Sequence, residues 1–346
     1  MRENKERNYL IDNLKVLLML MVVFGHVIEY YIKSSDLLRG IYIFIYLFHM
    51  PLFVFISGYF SKNVEKCRVG LLKSLLIPYV FFNIVWYVIA SIWTGEFIFS
   101  LFNPGWTLWY LISLFIWRLL IKYLSKIKYI IAMSILGALT ISIIPNSYSL
   151  GFMLRTVTFL PFFLIGYFTK ERTINNIKSI NKGFSFGIIV LFVGVSYFIT
   201  INNLLNYKFF YNSQSYYDTG LSTLEGMIFR GLLYIATIVL GICIINITPK
   251  SKLLFTGIAK STMNIYVFHI YLVILLYGAI PKWNMGVIRN ILLLTSPLLI
   301  MYILSKKPIN TMYIKIFNPI NNIVYPKTVG ILKKVKGLLG ILNDNN

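Results

Sequence analysis

The stretch LIDNLKVLLMLMVVFGHVIEYY, residues 10–31, is apolar except for a few side chains that recur at helical spacing. At ~100° per residue, its four ionisable positions other than tyrosine fall within an arc of about 100° and share one helix face. They are Asp12, Lys15, His26 and Glu29. Ionisable groups are costly to insert at membrane depth and by default face a protein interior or a wet cavity. The stretch therefore predicts a membrane-spanning helix with a buried reaction or transport site.

The whole chain has the composition of a polytopic membrane protein. Of its 346 residues, 58% are hydrophobic and 13% are charged, whereas soluble proteins average ~25% charged residues. Windows of about 17–23 apolar residues predict ten spans. They lie near 10–31, 40–60, 71–93, 107–124, 128–145, 154–169, 184–203, 227–247, 263–280 and 287–304. The predicted fold is an all-α integral membrane protein with about ten transmembrane helices in 1–304 and a basic tail in 305–346.

The net charge of +22 would favour a nucleic-acid partner in a soluble protein, but its distribution here indicates a membrane topology. Twenty-five of the 33 Lys and Arg residues lie in alternate loops and the two terminal segments, against seven on the other side. This bias predicts two cytoplasmic termini, a multi-pass protein of the cell membrane with the lipid bilayer as partner, and no nucleic-acid partner. In the tail, residues 327–342 interleave Lys with Ile, Leu and Val, which predicts either a helix on the cytoplasmic leaflet or a solvated basic segment.

The surroundings of His26 favour general-base chemistry. Glu29, one turn further on, is placed to fix the tautomer of the imidazole and raise its basicity, as activation of a hydroxyl requires. Alternatively, Glu29 is only the interfacial end of the helix. His49 and His269 also lie in predicted spans, where they either line the site or serve as hydrogen-bond partners between helices. Cys67 and Cys243 fall in a loop and in a span, so neither a disulfide nor a metal site is predicted.

Lys15 precedes His26 by eleven residues, or ~16 Å at a helical rise of ~1.5 Å per residue. That is about the reach of an extended pantetheine arm, so a cation at this position could hold the phosphates of a nucleotide-like donor. The alternative is that Lys15 extends to the cytoplasmic headgroups. Ser57 has no nucleophile-elbow pattern around it, and we expect it, beside Gly58, to pack between helices and to line the donor channel.

Cations and indoles also occur at the predicted outer ends of spans. Arg155, Arg230, Trp106 and Trp109 suit stacking on a sugar or holding a polyprenyl phosphate, and they equally suit an interfacial belt.

Six motifs follow one another through residues 8–305. They are IDNLKVLLMLMVVFGH (11–26), FHMPLFVFISGYF (48–60), LIPY (76–79), WTLWYLISLFIWRL (106–119), LRTVTFLPFFLIGYF (154–168) and STMNIYVFH (261–269). With them, the chain resembles the membrane O-acyltransferases of acyltransferase family 3, and within these the fucose 4-O-acetylase-like branch. The resemblance implies acyl-CoA, usually acetyl-CoA, as donor substrate with no permanently bound cofactor. It also implies transfer of the acyl group to a hydroxyl of an envelope glycan or polyprenyl-linked saccharide.

The resemblance places the catalytic histidine on His26 and its paired basic residue on Lys15, and we expect Asp12, Arg68 and Lys73 on the donor side. Many members carry Arg where Lys15 stands, so a bidentate phosphate contact becomes a point-charge contact here. Many also carry a Glu in the fourth-span motif, which 106–119 lacks. A transporter or flippase for a glycan or lipid-linked saccharide, and a non-catalytic membrane scaffold, remain the alternatives at this stage.

Overall fold

The computed structural model describes residues 7–144, 151–279 and 286–338, which contain helices and turns and no β-strand. The helices are α1 (Tyr9–Ile28), α2 (Asp36–Tyr59), α3 (Val64–Val69), α4 (Ile77–Thr94), α5 (Trp109–Leu124), α6 (Ile130–Thr140), α7 (Gly151–Phe168), α8 (Glu171–Lys178), α9 (Lys182–Ile201), α10 (Thr223–Ile247), α11 (Thr262–Ala279), α12 (Gly286–Leu304) and α13 (Lys307–Leu338). Polar side chains cap the N-termini of several long helices: Asn8 and Ser35 accept backbone N–H bonds at the starts of α1 and α2, and Ser222 forms a reciprocal capping box with Glu225 at the start of α10.

Each of the ten predicted spans coincides with a helix, but the helices differ in length. Among the described residues, seven are long and apolar enough to cross a membrane, or eight if Asn290–Leu304 and Lys307–Ile323, bent by 58°, form one span. At the fourth and fifth predicted spans, α5 has 16 residues and α6 has 11, fewer than the about 20 needed to span a bilayer upright. The chain is thus an all-helical polytopic membrane protein, while the count of ten spans and the side of the termini stay predictions.

The first two helices form the centre of the fold. α2 packs against α1, α7, α9 and α10, and α1 packs against α2, α11 and α12. Helix α1 therefore has protein around its polar face instead of lipid, which satisfies the requirement for ionisable groups at membrane depth. By contrast, α9 exposes most of its side chains.

The crossing of α2 and α7 depends on two glycines. A Cβ added to Gly58 would lie 2.0 Å from the main-chain oxygen of Phe163, and a Cβ added to Gly166 would lie 2.0 Å from that of Phe55. The two backbones approach as closely as small residues permit in membrane helix pairs. This approach brings the motif that contains Ser57 into the interior.

The predicted basic tail begins as a packed helix. Phe317 of α13 is buried, and its ring lies 5.3 Å from that of Phe81 and 5.8 Å from that of Phe82 in α4. The first part of the tail is therefore anchored on the bundle. The predicted amphipathic segment 327–342 has a helical backbone as far as Leu338, and its last four residues lie outside the described part of the chain.

Candidate active site

Two cavities lie along the polar face of α1. The His26 cavity has a volume of about 360 Å³ and is lined by residues that include His26 and Glu29. The Lys15 cavity has a volume of about 370 Å³ and is lined by residues that include Lys15 and Ser57. Tyr266 lines both cavities. Because α1 is one uninterrupted helix from Tyr9 to Ile28, Lys15 and His26 are separated by ~16 Å along its axis.

The imidazole of His26 is paired with a carboxylate. Its Nδ1 lies 2.9 Å from Oε2 of Glu29, which follows one turn later where α1 ends. An ionised carboxylate only accepts hydrogen bonds, so Nδ1 carries the proton of the neutral ring and Nε2 presents a lone pair. The pair has the geometry of a general base with an orienting carboxylate.

Two tyrosines hold this pair in place. The Tyr211 hydroxyl donates to Oε1 of Glu29 at 3.4 Å. The Tyr277 hydroxyl donates to the main-chain carbonyl of His26. Tyr211 belongs to the short helix Tyr207–Tyr211 between α9 and α10, and Tyr277 belongs to α11. Distant segments of the chain therefore fix both ends of the His26–Glu29 pair.

Three of the four residues predicted at the acceptor side lie together at the His26 cavity. Trp106, Trp109 and Arg155 all line it. The Trp106 ring contacts the His26 ring edge-on with centroids 5.6 Å apart, and the Arg155 guanidinium lies 5.2 Å from the Trp109 ring centroid. Arg155 also donates from Nε to the main-chain oxygen of Tyr211 at 3.0 Å. The cavity that His26 lines therefore also contains two indoles and one cation in its wall.

Arg230, the fourth predicted residue, is not among the lining residues of this cavity. Its side chain is 1% exposed, its Nη1 donates to Asn212 Oδ1, and its guanidinium lies 4.4 Å from the Phe209 ring centroid. It therefore supports the segment that carries Tyr211 through contacts with Phe209 and Asn212. From sequence alone, a cation at the outer end of a span could either bind the acceptor or support a neighbouring segment. Only the packing in the structure distinguishes these two roles.

The other two histidines are tied to backbone carbonyls within their own helices. His49 lines the His26 cavity, and its Nδ1 donates to the carbonyl of Ile45 at 2.7 Å. His269 is fully buried, and its Nδ1 donates to the carbonyl of Tyr266 at 2.8 Å. Its ring centroid lies 5.5 Å from that of His26. His49 therefore borders the cavity, whereas His269 lies next to His26 and is not among the residues that line the cavity.

The Lys15 ammonium lies at the edge of the second cavity. Its Nζ is 3.8 Å from Oδ1 of Asp12 and 4.4 Å from the Phe60 ring centroid. Asp12 also pairs with Arg7, whose Nε is 2.5 Å from Oδ2. Asp12 is thus engaged by two cations and is not among the residues that line the cavity. The arrangement indicates that Asp12 positions Lys15, which is the member of the pair that faces the cavity.

A second cation of the Lys15 cavity, Arg118, was missed as a site residue in the sequence and counted only as a loop charge. Arg118 lines the cavity and donates from Nε to Oγ of Ser61 at 3.1 Å. The signal was present in the fourth-span motif, because Tyr110, Leu114 and Arg118 recur every four residues and so share one face of α5. All three line the cavity.

The predicted donor-side residues Arg68 and Lys73 are not among the residues that line the cavity, but Lys73 belongs to a turn that contributes to the wall and Arg68 precedes that turn. The π-helical turn Leu72–Leu76 contributes Ser74 and Leu75 to the cavity wall. Such turns inside helices are frequent at functional sites. Two basic residues therefore lie in or near the turn that precedes α4 and forms part of the wall of the Lys15 cavity.

Two of the comparisons with known proteins gave a match. A family model described as an acyltransferase domain matches residues 8–306. Nodulation protein NolL of Sinorhizobium fredii (strain NBRC 101917 / NGR234) is 30% identical over 181 residues, which are 46% of this chain and 48% of that protein. The chain therefore spans about half the length of this curated relative. No solved structure matches the chain.

Proposed function

The chain belongs to the acyltransferase family whose domain covers residues 8–306, and we propose that it moves an acetyl group from cytoplasmic acetyl-CoA to a hydroxyl of a cell-envelope or exported glycan. One observation carries this proposal: a single helix places a cation, Lys15, in one cavity and an imidazole–carboxylate pair in the next. The ~16 Å between them matches the length of a pantetheine arm. The protein would act in the cell membrane as a multi-pass enzyme.

In this proposal, the donor occupies the Lys15 cavity with its phosphates near Lys15 and Arg118. Both cations line the cavity, and charge-assisted hydrogen bonds to phosphate are the stronger class of hydrogen bond. Arg68 and Lys73 add positive charge beside the π-helical turn. The arm then extends past Tyr266, and the thioester reaches His26.

The reaction balances with His26 as the proton carrier. The acceptor hydroxyl gives its proton to Nε2 of His26 while its oxygen forms a bond to the thioester carbonyl carbon. The carbon–sulfur bond breaks, its electron pair goes to the sulfur of CoA, and His26 returns the proton to that thiolate. Glu29 stabilises the imidazolium that exists between these two transfers, since its carboxylate lies 2.9 Å from Nδ1.

The glycan acceptor, free or linked to a polyprenyl carrier, would enter the His26 cavity. Trp106 and Trp109 contribute aromatic surface to the cavity wall, against which a sugar ring would pack, and Arg155 offers a cation to a carboxylate or phosphate of the acceptor.

The test uses membranes from cells that express the protein, incubated with acetyl-CoA radiolabelled in its acyl carbon. We expect free CoA and label in the glycan fraction that mild alkali releases, as for an ester. Membranes without the protein are the control. Absence of label would contradict the proposal, as would saccharide flux across proteoliposomes without release of CoA, which a transporter would show.

The charge at position 15 should control donor affinity. Lys15→Glu is expected to raise the KM for acetyl-CoA by at least about tenfold, equivalent to about 1.4 kcal/mol, because phosphate then meets a carboxylate. Lys15→Arg should keep most activity. Lys126→Glu reverses an exposed charge in the loop after α5 and should leave the KM unchanged. An unchanged KM in Lys15→Glu would mean that Lys15 only extends to the lipid headgroups.

Alanine substitutions of Arg155 and Arg230 should have different effects, one on catalysis and the other on stability. Arg155→Ala is expected to lower kcat with little change in the KM for acetyl-CoA, since it removes a cation from the His26 cavity only. Arg230→Ala should mainly lower thermal stability, because Asn212 and the buried segment around it lose their partner. Steady-state kinetics and thermal unfolding in detergent distinguish the two. A rise in donor KM in Arg155→Ala as large as in Lys15→Glu would place donor and acceptor in one shared cavity.

A further inference from the structure

Tyr266 stands where the His26 cavity meets the Lys15 cavity, because it lines both. The residue is buried, and its hydroxyl donates to the main-chain oxygen of Thr107. Its ring packs at 66° against the Tyr110 ring with centroids 5.6 Å apart. The side chain is therefore held both at its hydroxyl and along its ring.

Three further side chains complete a collar with Tyr266, which we define as Phe53, Ser57, Tyr110 and Tyr266. All four line the Lys15 cavity. The Ser57 hydroxyl donates to the carbonyl of Phe53 at 3.0 Å, so its single proton is used and the Tyr110 hydroxyl, 2.5 Å away, must donate to it. The Phe53 ring contacts the Tyr110 ring edge-on at 5.4 Å. These contacts link the four collar residues to one another and hold their side chains in one arrangement.

A donor whose phosphates are held at Lys15 must extend toward the His26 cavity with its acyl group first. The acyl group must pass the collar before the thioester carbon can reach His26, and whatever extends beyond that carbon must fit into the His26 cavity. This cavity, of about 360 Å³, must also admit the acceptor sugar. Widening the collar would require breaking the tyrosine hydrogen bonds that hold it. A linear acyl chain is no wider than the pantetheine arm that follows it through the collar, so each additional methylene is disfavoured by the space beyond, in the His26 cavity, where Tyr266 forms part of the wall.

We propose, on the premise of the function proposed above, that the collar limits the length of the acyl group where it borders the His26 cavity and restricts the donor to acetyl-CoA, with Tyr266 as the limiting residue. Ser57 then acts through the Tyr110 hydroxyl and has no nucleophilic role. The acyl specificity is a property of the junction between the cavities, not of the catalytic pair.

The test compares transfer from acetyl-CoA and from butyryl-CoA, each radiolabelled in the acyl carbonyl, into the alkali-labile glycan fraction of expressing membranes. One misplaced methylene in a fitted pocket typically changes kcat/KM by about 10- to 200-fold. We therefore expect wild type to prefer acetyl-CoA by at least about tenfold, and Tyr266→Ala to reduce that ratio by about the same factor. Tyr266→Phe keeps the ring and should keep the preference.

Tyr79→Ala is the matched control. Tyr79 is also a buried tyrosine whose hydroxyl donates to a carbonyl, that of Leu101, but it lines neither cavity. It should lose stability without changing the acetyl to butyryl ratio. If Tyr266→Ala does not accumulate, Phe53→Ala removes the ring that packs on Tyr110, which in turn packs on Tyr266, and should shift the ratio in the same direction.

The outcomes separate the collar from the function itself. Equal use of acetyl-CoA and butyryl-CoA by wild type would overturn the collar while leaving acyl transfer intact. An unchanged ratio in both Tyr266→Ala and Phe53→Ala would do the same. Absence of transfer from either donor in wild-type membranes would overturn the proposed function, and the collar with it.

Discussion

His26→Gln is expected to lower acyl transfer by about 10²- to 10⁴-fold, the range that a positioned general base contributes. Glutamine is close to histidine in size and can still donate a hydrogen bond to Glu29, but its amide does not take up a proton near neutral pH. The loss should appear in kcat, because the phosphate contacts of the donor lie ~16 Å away at Lys15. The measurement is the release of free CoA from acetyl-CoA in membranes, with expression level determined in parallel.

His49→Gln provides the control, since His49 lines the same cavity but has its Nδ1 bound to the carbonyl of Ile45, and no carboxylate in the described part of the chain pairs with it. We expect a much smaller loss from it than from His26→Gln. Comparable losses in the two variants would indicate that histidines act here only by filling the cavity. Transfer at the wild-type rate in His26→Gln would remove His26 from the chemistry.

The candidate catalytic face could be predicted because it lies on one helix. The spacing of Lys15, His26 and Glu29 determines their shared direction whatever surrounds them, since periodicity within a helix is a local property. Their pairing within the helix follows from the same rule, and the structure places Nδ1 of His26 2.9 Å from Glu29. The relative positions of residues can be predicted from the sequence when a single helix connects them.

The remaining parts of the site come from elsewhere in the chain. Tyr211, Tyr266 and Arg118 reach the cavities from the segment after α9, from α11 and from α5. A single sequence shows which face of a helix is polar but not which helix it will meet, because helix contacts are set by packing across the whole bundle. The burial of Arg230 beneath its loop was hidden for the same reason.

Gly58→Ala is expected to lower the thermal midpoint of the detergent-solubilised protein and the yield of its monodisperse form. The new Cβ would lie 2.0 Å from the main-chain oxygen of Phe163, a contact that no side-chain rotation relieves, so α2 and α7 would have to separate. Overpacking of this kind typically costs about 1–3 kcal/mol, and a rigid backbone partner favours the upper end of that range. The Cβ of Gly166→Ala would collide in the same way with the main-chain oxygen of Phe55 in α2, so this variant should be destabilised to a similar extent.

Gly194→Ala is the matched control, because a Cβ at this position of α9 has no atom within 4 Å. There alanine should be neutral or slightly stabilising, as expected for a glycine inside a helix. Equal thermal midpoints for Gly58→Ala and Gly194→Ala would mean that the α2–α7 crossing separates at little cost. The consequence should also extend to catalysis: Ser57, next to Gly58, holds Tyr110 in the collar, so any Gly58→Ala protein that does fold should lose acetyl selectivity along with stability.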